Sequence, residues 1–262
     1  SSKIPTLISN RMVLKYFFWS AAAFAGLGWV QDQLRRSVQS ADIVDAAFCT
    51  VIDILDDDVE GEWALTGAER GQEQVMLQLV AETARMHASD SSVQYRGCRC
   101  MAQLFQLTTP GFGYREGLIS ILRALHRHRE NLGVTREGFL AIRTLLESQA
   151  KAASAIEEAL RQEGVGNLAQ QSIAEFADAD AELIEHTVFV LTAVSGIEAC
   201  LQAFVQARSN AVCTAATKGL FEFCRHRGSG ITHDDKSAIR HAAQVLVTER
   251  PGDLLLQQNV AL

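Results

Sequence analysis

Proline is scarce in this 262-residue chain, with three in all. Pro110 and Pro251 fall where helical patterning stops, a place where proline ends a helix without damaging it. No run of alternating β-branched residues is present, so the main signature of a sheet is missing. Positive charge is also short. The 24 Lys and Arg face 31 Asp and Glu, for a net charge of −7, which argues against nucleic-acid binding driven by phosphate neutralisation. The six cysteines lack the spacing of a zinc ribbon or of a secreted disulfide framework. Cys49, Cys98, Cys100, Cys213 and Cys224 lie inside helical patterns, so buried free thiols in a reducing, cytoplasmic setting are expected.

A membrane-length apolar run is missing as well. The most apolar stretch is residues 12–30, MVLKYFFWSAAAFAGLGWV, and its uncharged part from Tyr16 to Val30 is shorter than the roughly 20 residues that span a bilayer. No charged start and cleavage site frame it as a signal peptide. Residues 1–28 are expected to form an apolar capping helix, with a membrane or partner-inserted anchor as the alternative.

What the chain does have is helical periodicity that repeats. The stretch VQYRGCRCMAQLFQL (93–107) places Gly97, Cys100, Met101 and Leu104 at offsets of four, seven, eight and eleven from Val93. Glycine inside a helix costs about 1 kcal/mol against alanine, which is tolerable where another helix must come close. The offsets recur. Ile43 gives Ala47, Thr50, Val51 and Ile54; Val134 gives Gly138, Ala141, Ile142 and Leu145. Leu183 gives Thr187, Val190, Leu191 and Val194; Val212 gives Ala216, Gly219, Leu220 and Phe223. Leu256 begins a degenerate sixth copy. The anchors are spaced about 43 residues apart on average, within the roughly 40–47 of helical solenoid repeats.

A second helical series lies between them at 29–43, 72–89, 117–129, 165–180, 197–209 and 238–249. Each ends in a polar step before the next anchor. Shorter pieces such as AKAASAIEEALRQ (150–162) precede some of these. This order of short helix, middle helix, polar step and small-residue helix resembles the armadillo repeat over most of the chain. The resemblance implies an all-α fold: a right-handed superhelical solenoid of about five to six repeats, spanning residues 29–262 with the last repeat incomplete. A non-repeating helical bundle is the alternative.

The densest charge run is DILDDDVEGE (53–62), in which Asp56, Asp57 and Glu60 resemble the aspartate-rich motif of all-helical prenyl-transferring enzymes. Paired carboxylates there hold magnesium against a diphosphate. The best second motif, His233-Asp234-Asp235, lacks the expected downstream spacing, so a solvated acidic loop is the expectation. GFGYREG (111–117) reads as a turn rather than a dinucleotide loop. His126 and His128 are two apart, so on a helix they point to different faces. No nucleophile elbow surrounds any serine or cysteine. Neither an enzymatic activity nor a cofactor is expected.

The resemblance implies that the third helix of each repeat lines a concave groove. The tryptophan and asparagine ladder of nuclear import receptors in that family is absent here. Offsets three, six and ten share one helix face, and with neighbouring positions they define a different surface. It begins basic and polar at Tyr95, Arg96, Arg99, Gln103 and Arg136. It turns apolar at Leu140 and Phe189, with Thr144 and His186 alongside, and ends at Lys218 and Glu222. Exposed apolar side chains beside arginine suit a partner protein or peptide with apolar and acidic side chains. Leu140 and Phe189 could alternatively be core residues of a wide-faced helix. The expected function is a non-enzymatic interaction scaffold. A membrane-tethered adaptor or structural subunit using residues 12–30 is the first alternative, and a magnesium-dependent prenyl-transferring enzyme the lesser one.

Overall fold

A computed structural model describes residues 27–60, 72–107, 114–176, 179–200 and 210–227, with positions 233, 236, 237 and 240 beyond them. The described residues are helical with turns between, and no strand occurs among them. The chain divides into two compact units, Ser1–Ser148 and Gln149–Leu262.

In the first unit, α1 (residues 27–37) is followed by α2 (Ala41–Glu60), α3 (Glu73–Met86), α4 (Ser91–Leu107), α5 (Tyr114–Arg127) and α6 (Leu132–Ser148). Helix α4 packs between α2 and α6, while α3 and α5 pack on each other and against the inner helix that follows each. Side-chain pairings give the directions. Asp45 of α2 meets Ser92 and Arg96 of α4, and Asp56, three turns on, meets Arg99 and Gln103, so α2 and α4 run parallel. In the outer pair, Leu77 faces Gly117, and the Ser120 hydroxyl donates to the Ala81 carbonyl at 3.3 Å; α3 and α5 are parallel too.

The second unit holds a 3₁₀ turn (Ala150–Ala152), α7 (Ala153–Gln162), α8 (Val165–Phe176), α9 (Ala181–Ser195), α10 (described over 197–200) and α11 (Asn210–Arg227). Helix α9 packs against α7, α8 and α11, and every residue from Leu183 to Val194 is buried. Glycine ends α9: Gly196 adopts φ 83°, and its N–H bonds the Thr192 carbonyl at 3.0 Å, a backbone state that costs a residue with Cβ.

The helix starts follow from the polar steps. Asp90 accepts from the N–H groups of Ser92 and Val93, Asn131 from Val134, and Asp180 from Glu182 and Leu183. Each cap satisfies a donor that the first helical turn leaves unpaired, and each lies three residues before its anchor. The turns ahead of two caps share a second device. The His87 ring donates to the Val38 carbonyl at 2.6 Å, and the His128 ring to the Ala88 carbonyl at 2.8 Å.

The small-residue register is buried wherever it is described, apart from Ile43, which is half-buried. At Gly97 an added Cβ would lie 3.2 Å from Ala84 and 3.3 Å from the Phe48 ring. At Gly138 it would lie 2.5 Å from Leu125. Some boundaries differ from the sequence reading. The stretch 29–43 ends as a helix at 37, six residues short of the pattern, because a turn at 38–40 separates it from α2. The acidic run is not a loop through residue 60: α2 continues to Glu60, anchored by apolar Ile52, Ile54 and Leu55. Most of segment 12–30 lies outside the described residues, although its last part contributes fully buried Leu27 and Val30. The sixth copy from Leu256 also lies outside them, as do Asp234 and Asp235.

Candidate functional site

The surface of interest in the first unit is the polar face of α4 between α2 and α6. Its stability rests on carboxylates supplied by both neighbours. Asp45 is buried, and a buried carboxylate requires partners; it accepts from the Ser92 hydroxyl at 3.0 Å and from Arg96 Nε at 2.7 Å. Three turns along α2, Asp56 takes Arg99 Nη2 at 3.6 Å and a hydrogen bond from the Gln103 amide.

Arg99 lies among groups from all three helices. Burial works to lower its pKa, but a hydrogen bond with Tyr95 and the carboxylates of Glu137 and Asp56 outweigh that and raise it. The guanidinium therefore stays charged while its side chain is still 42% exposed. Arg96, at 33%, is held similarly at the other end of the stripe. On α6, Arg136 pairs with buried Glu137 at 3.2 Å, and Arg143 with Glu147 at 2.9 Å. Leu140 is half-buried between them. The Tyr95 ring lies over Gly133, where a Cβ would come within 3.2 Å of it. Tyr95, Arg96, Arg99, Gln103, Arg136 and Leu140 thus share one partly open surface of the first unit, whereas Thr144 turns inward and is buried.

The remaining predicted residues belong to the second unit, and two of them are corrected. Phe189, expected to present its ring to a partner, is 1% exposed. Its ring meets Phe223 edge-on at 5.6 Å and lies 6.1 Å from His226. The reason is α11, which crosses the very face that was expected to be open. It comes so close that a Cβ on Gly219 would overlap the Glu185 backbone. His186 is buried as well, its Nε2 3.7 Å from Glu182 of the same helix. Lys218 is exposed and pairs with Glu185 at 2.6 Å, while Glu222 pairs with Arg225 at 2.7 Å.

Sequence reasoning overlooked Asp45, Glu137 and Gly133, which hold the stripe in place. Asp45 and Glu137 sit at offsets of two and three from their anchors, a signal visible once the helices are known to be parallel. The enzyme motif fares differently: Asp56 is engaged by Arg99 and Gln103. Among the described residues no group of three or more His, Cys, Asp or Glu is placed to hold a metal ion. No described helix is long and apolar enough to cross a membrane. The thiols of Cys98 and Cys200 are pushed up to about 12 by burial, with the Glu137 carboxylate adding to Cys98 and a Thr192 hydrogen bond opposing at Cys200. Cys49, Cys98, Cys100, Cys200 and Cys224 are all free. No family model, curated protein or solved structure matches the chain.

Proposed function

We propose that the chain is a non-enzymatic protein-interaction scaffold of armadillo-like, right-handed solenoid type, working in a reducing compartment such as the cytoplasm. It recruits a partner segment rich in acidic and apolar side chains on the α2–α4–α6 surface. The observation that carries this reading is Arg99, a guanidinium locked by Tyr95, Glu137 and Asp56 yet still partly open. A cation held rigidly beside half-buried Leu140 loses little side-chain entropy when it meets a carboxylate. The parallel succession α2, α4, α6 and the caps three residues before the anchors of α4, α6 and α9 support the solenoid. Phe189 is no part of this surface, so recognition rests on the first unit's residues.

The test compares wild type with Arg99→Glu and Leu140→Asp by affinity capture from cell extract and mass spectrometry, alongside thermal melts. Proteins captured by wild type should drop out with both variants, at melting temperatures within a few degrees of wild type. The contribution of Arg99 should weaken with salt, since exposed charges are screened. An identical captured set for all three proteins would rule this surface out.

A further inference from the structure

The other layer of the first unit carries a groove of about 400 Å³ between α3 and α5, lined by Gln78, Glu82, Arg85, Glu116, Ile119 and Arg123. Its charges behave unlike those of the α4 face. The arginines of α4 and α6, Arg96, Arg99, Arg136 and Arg143, each have a carboxylate partner. Among the described residues Glu82, Arg85, Glu116 and Arg123 have none. Between them Ile119 stands 42% exposed, one of few large apolar side chains left open among the described residues.

The parallel register orders these groups along the groove. Leu77 faces Gly117 and Ala81 faces Ser120, so Glu116 lies level with the Gln78 turn, and Arg123 lies level with Arg85. Glu116 therefore marks one end, Ile119 the middle, and Arg85 with Arg123 the far end, with Glu82 between Ile119 and the arginines. Seven residues separate Gln78 from Arg85, about 10 Å of helix. That is two turns, the length over which a helical peptide presents three side chains on one face.

We propose that the α3–α5 groove is a second docking site, taking a short protein segment that carries one apolar side chain between a basic and an acidic one. The apolar side chain packs on Ile119, the acid lies against Arg85 and Arg123, and the base against Glu116. Charge complementarity commits the occupant to a peptide rather than to a compact small molecule. The opposite charges are spread over about 10 Å, a spacing that side chains two turns apart on a helical segment match. The proposal concerns a different face from the α4 stripe and stands whether or not that stripe binds anything.

The probe is a displayed library of random 12-residue peptides, selected on the full chain and in parallel on an Arg85→Glu/Arg123→Glu variant. Peptides selected by wild type should share an apolar residue flanked at helical spacing by one acidic and one basic residue. The best synthetic peptide, followed by fluorescence anisotropy, should lose tenfold or more in affinity for the double variant and for Ile119→Asp. Changing its acid to lysine should restore binding to the double variant. Arg99→Glu on the other face should leave the affinity unchanged, which separates this site from the α4 stripe. All four substitutions change exposed or half-exposed side chains, and thermal melts verify that each variant is folded. Selection without a shared pattern, or a peptide indifferent to Arg85, Arg123 and Ile119, would overturn the proposal.

Discussion

At Gly219 a methyl group would overlap the Glu185 carbonyl oxygen and sit 3.2 Å from its carbon. Backbone cannot swing aside, so α11 and α9 would have to separate. At Gly138 the obstacle is a side chain, Leu125, whose Cδ2 and Cγ lie 2.5 and 2.8 Å away. Leu125 is itself buried, and a new rotamer would disturb the core. Gly97 is milder, with its nearest neighbours at 3.2 and 3.3 Å. Alanine in a helix also recovers about 1 kcal/mol over glycine. The expected order of destabilisation for substitution by alanine is therefore Gly219, then Gly138, then Gly97. The first should lose about 1–3 kcal/mol, the usual range for overpacking, and the last should lie near zero. Urea unfolding of the three variants checks this, and equal midpoints would refute the close-approach account.

Among the elements, α4 and α9 depend most on their starts. Asp90 caps two N–H groups of α4 at 2.9 and 3.1 Å, and Asp180 caps two of α9 at 3.0 Å. Both helices are central to their units, so fraying at the first turn is felt by every helix packed on them. Asp90→Ala and Asp180→Ala should each cost about 0.5–2 kcal/mol. Replacement by Asn or Ser, which also cap, should recover most of that loss. Thermal melts of the six variants would show it; an alanine variant as stable as wild type would mean that packing alone places that helix. The acidic run belongs at this scale as well. Asp53 and Asp56 are helical because α2 continues beneath them on buried apolar residues, and a density of like charge did not outweigh that packing.

For the whole molecule, buried thiols tie folding to pH. Cys98 in one unit and Cys200 in the other start from an ordinary value of 9.0 and are pushed up to about 12, chiefly by burial. The folded chain therefore holds these protons longer than the unfolded chain. Their contribution to stability is complete below pH 9, where both states are protonated, and is lost as pH rises from about 9 towards 12. The urea midpoint should fall between about pH 8 and pH 10.5. The fall should be shallower in a Cys98→Ala/Cys200→Ala protein. The same slope in both proteins would place the titrating groups elsewhere.

Helix identity was legible in residue order because it depends on local facts: apolar spacing, glycine at fixed offsets, a polar residue before each helix and almost no proline. Those facts placed α4, α6 and α9 to within a few residues and marked Gly97 and Gly138 as points of close approach, whereas the tight contact at Gly219 came from the tertiary structure. They could not rank the exposed faces, because a side chain becomes surface or core only when its neighbour is in place. Arg99 and Phe189 hold the same offset in their helices. One remains partly open because its polar head reaches Tyr95, Asp56 and Glu137, and the other is sealed because α11 lies across it. The unpaired charges of the α3–α5 groove were hidden for the same reason. Sequence lists Glu82, Arg85, Glu116 and Arg123 as ordinary helical charges, and only the packing of two parallel helices brings them to one groove with Ile119 between them.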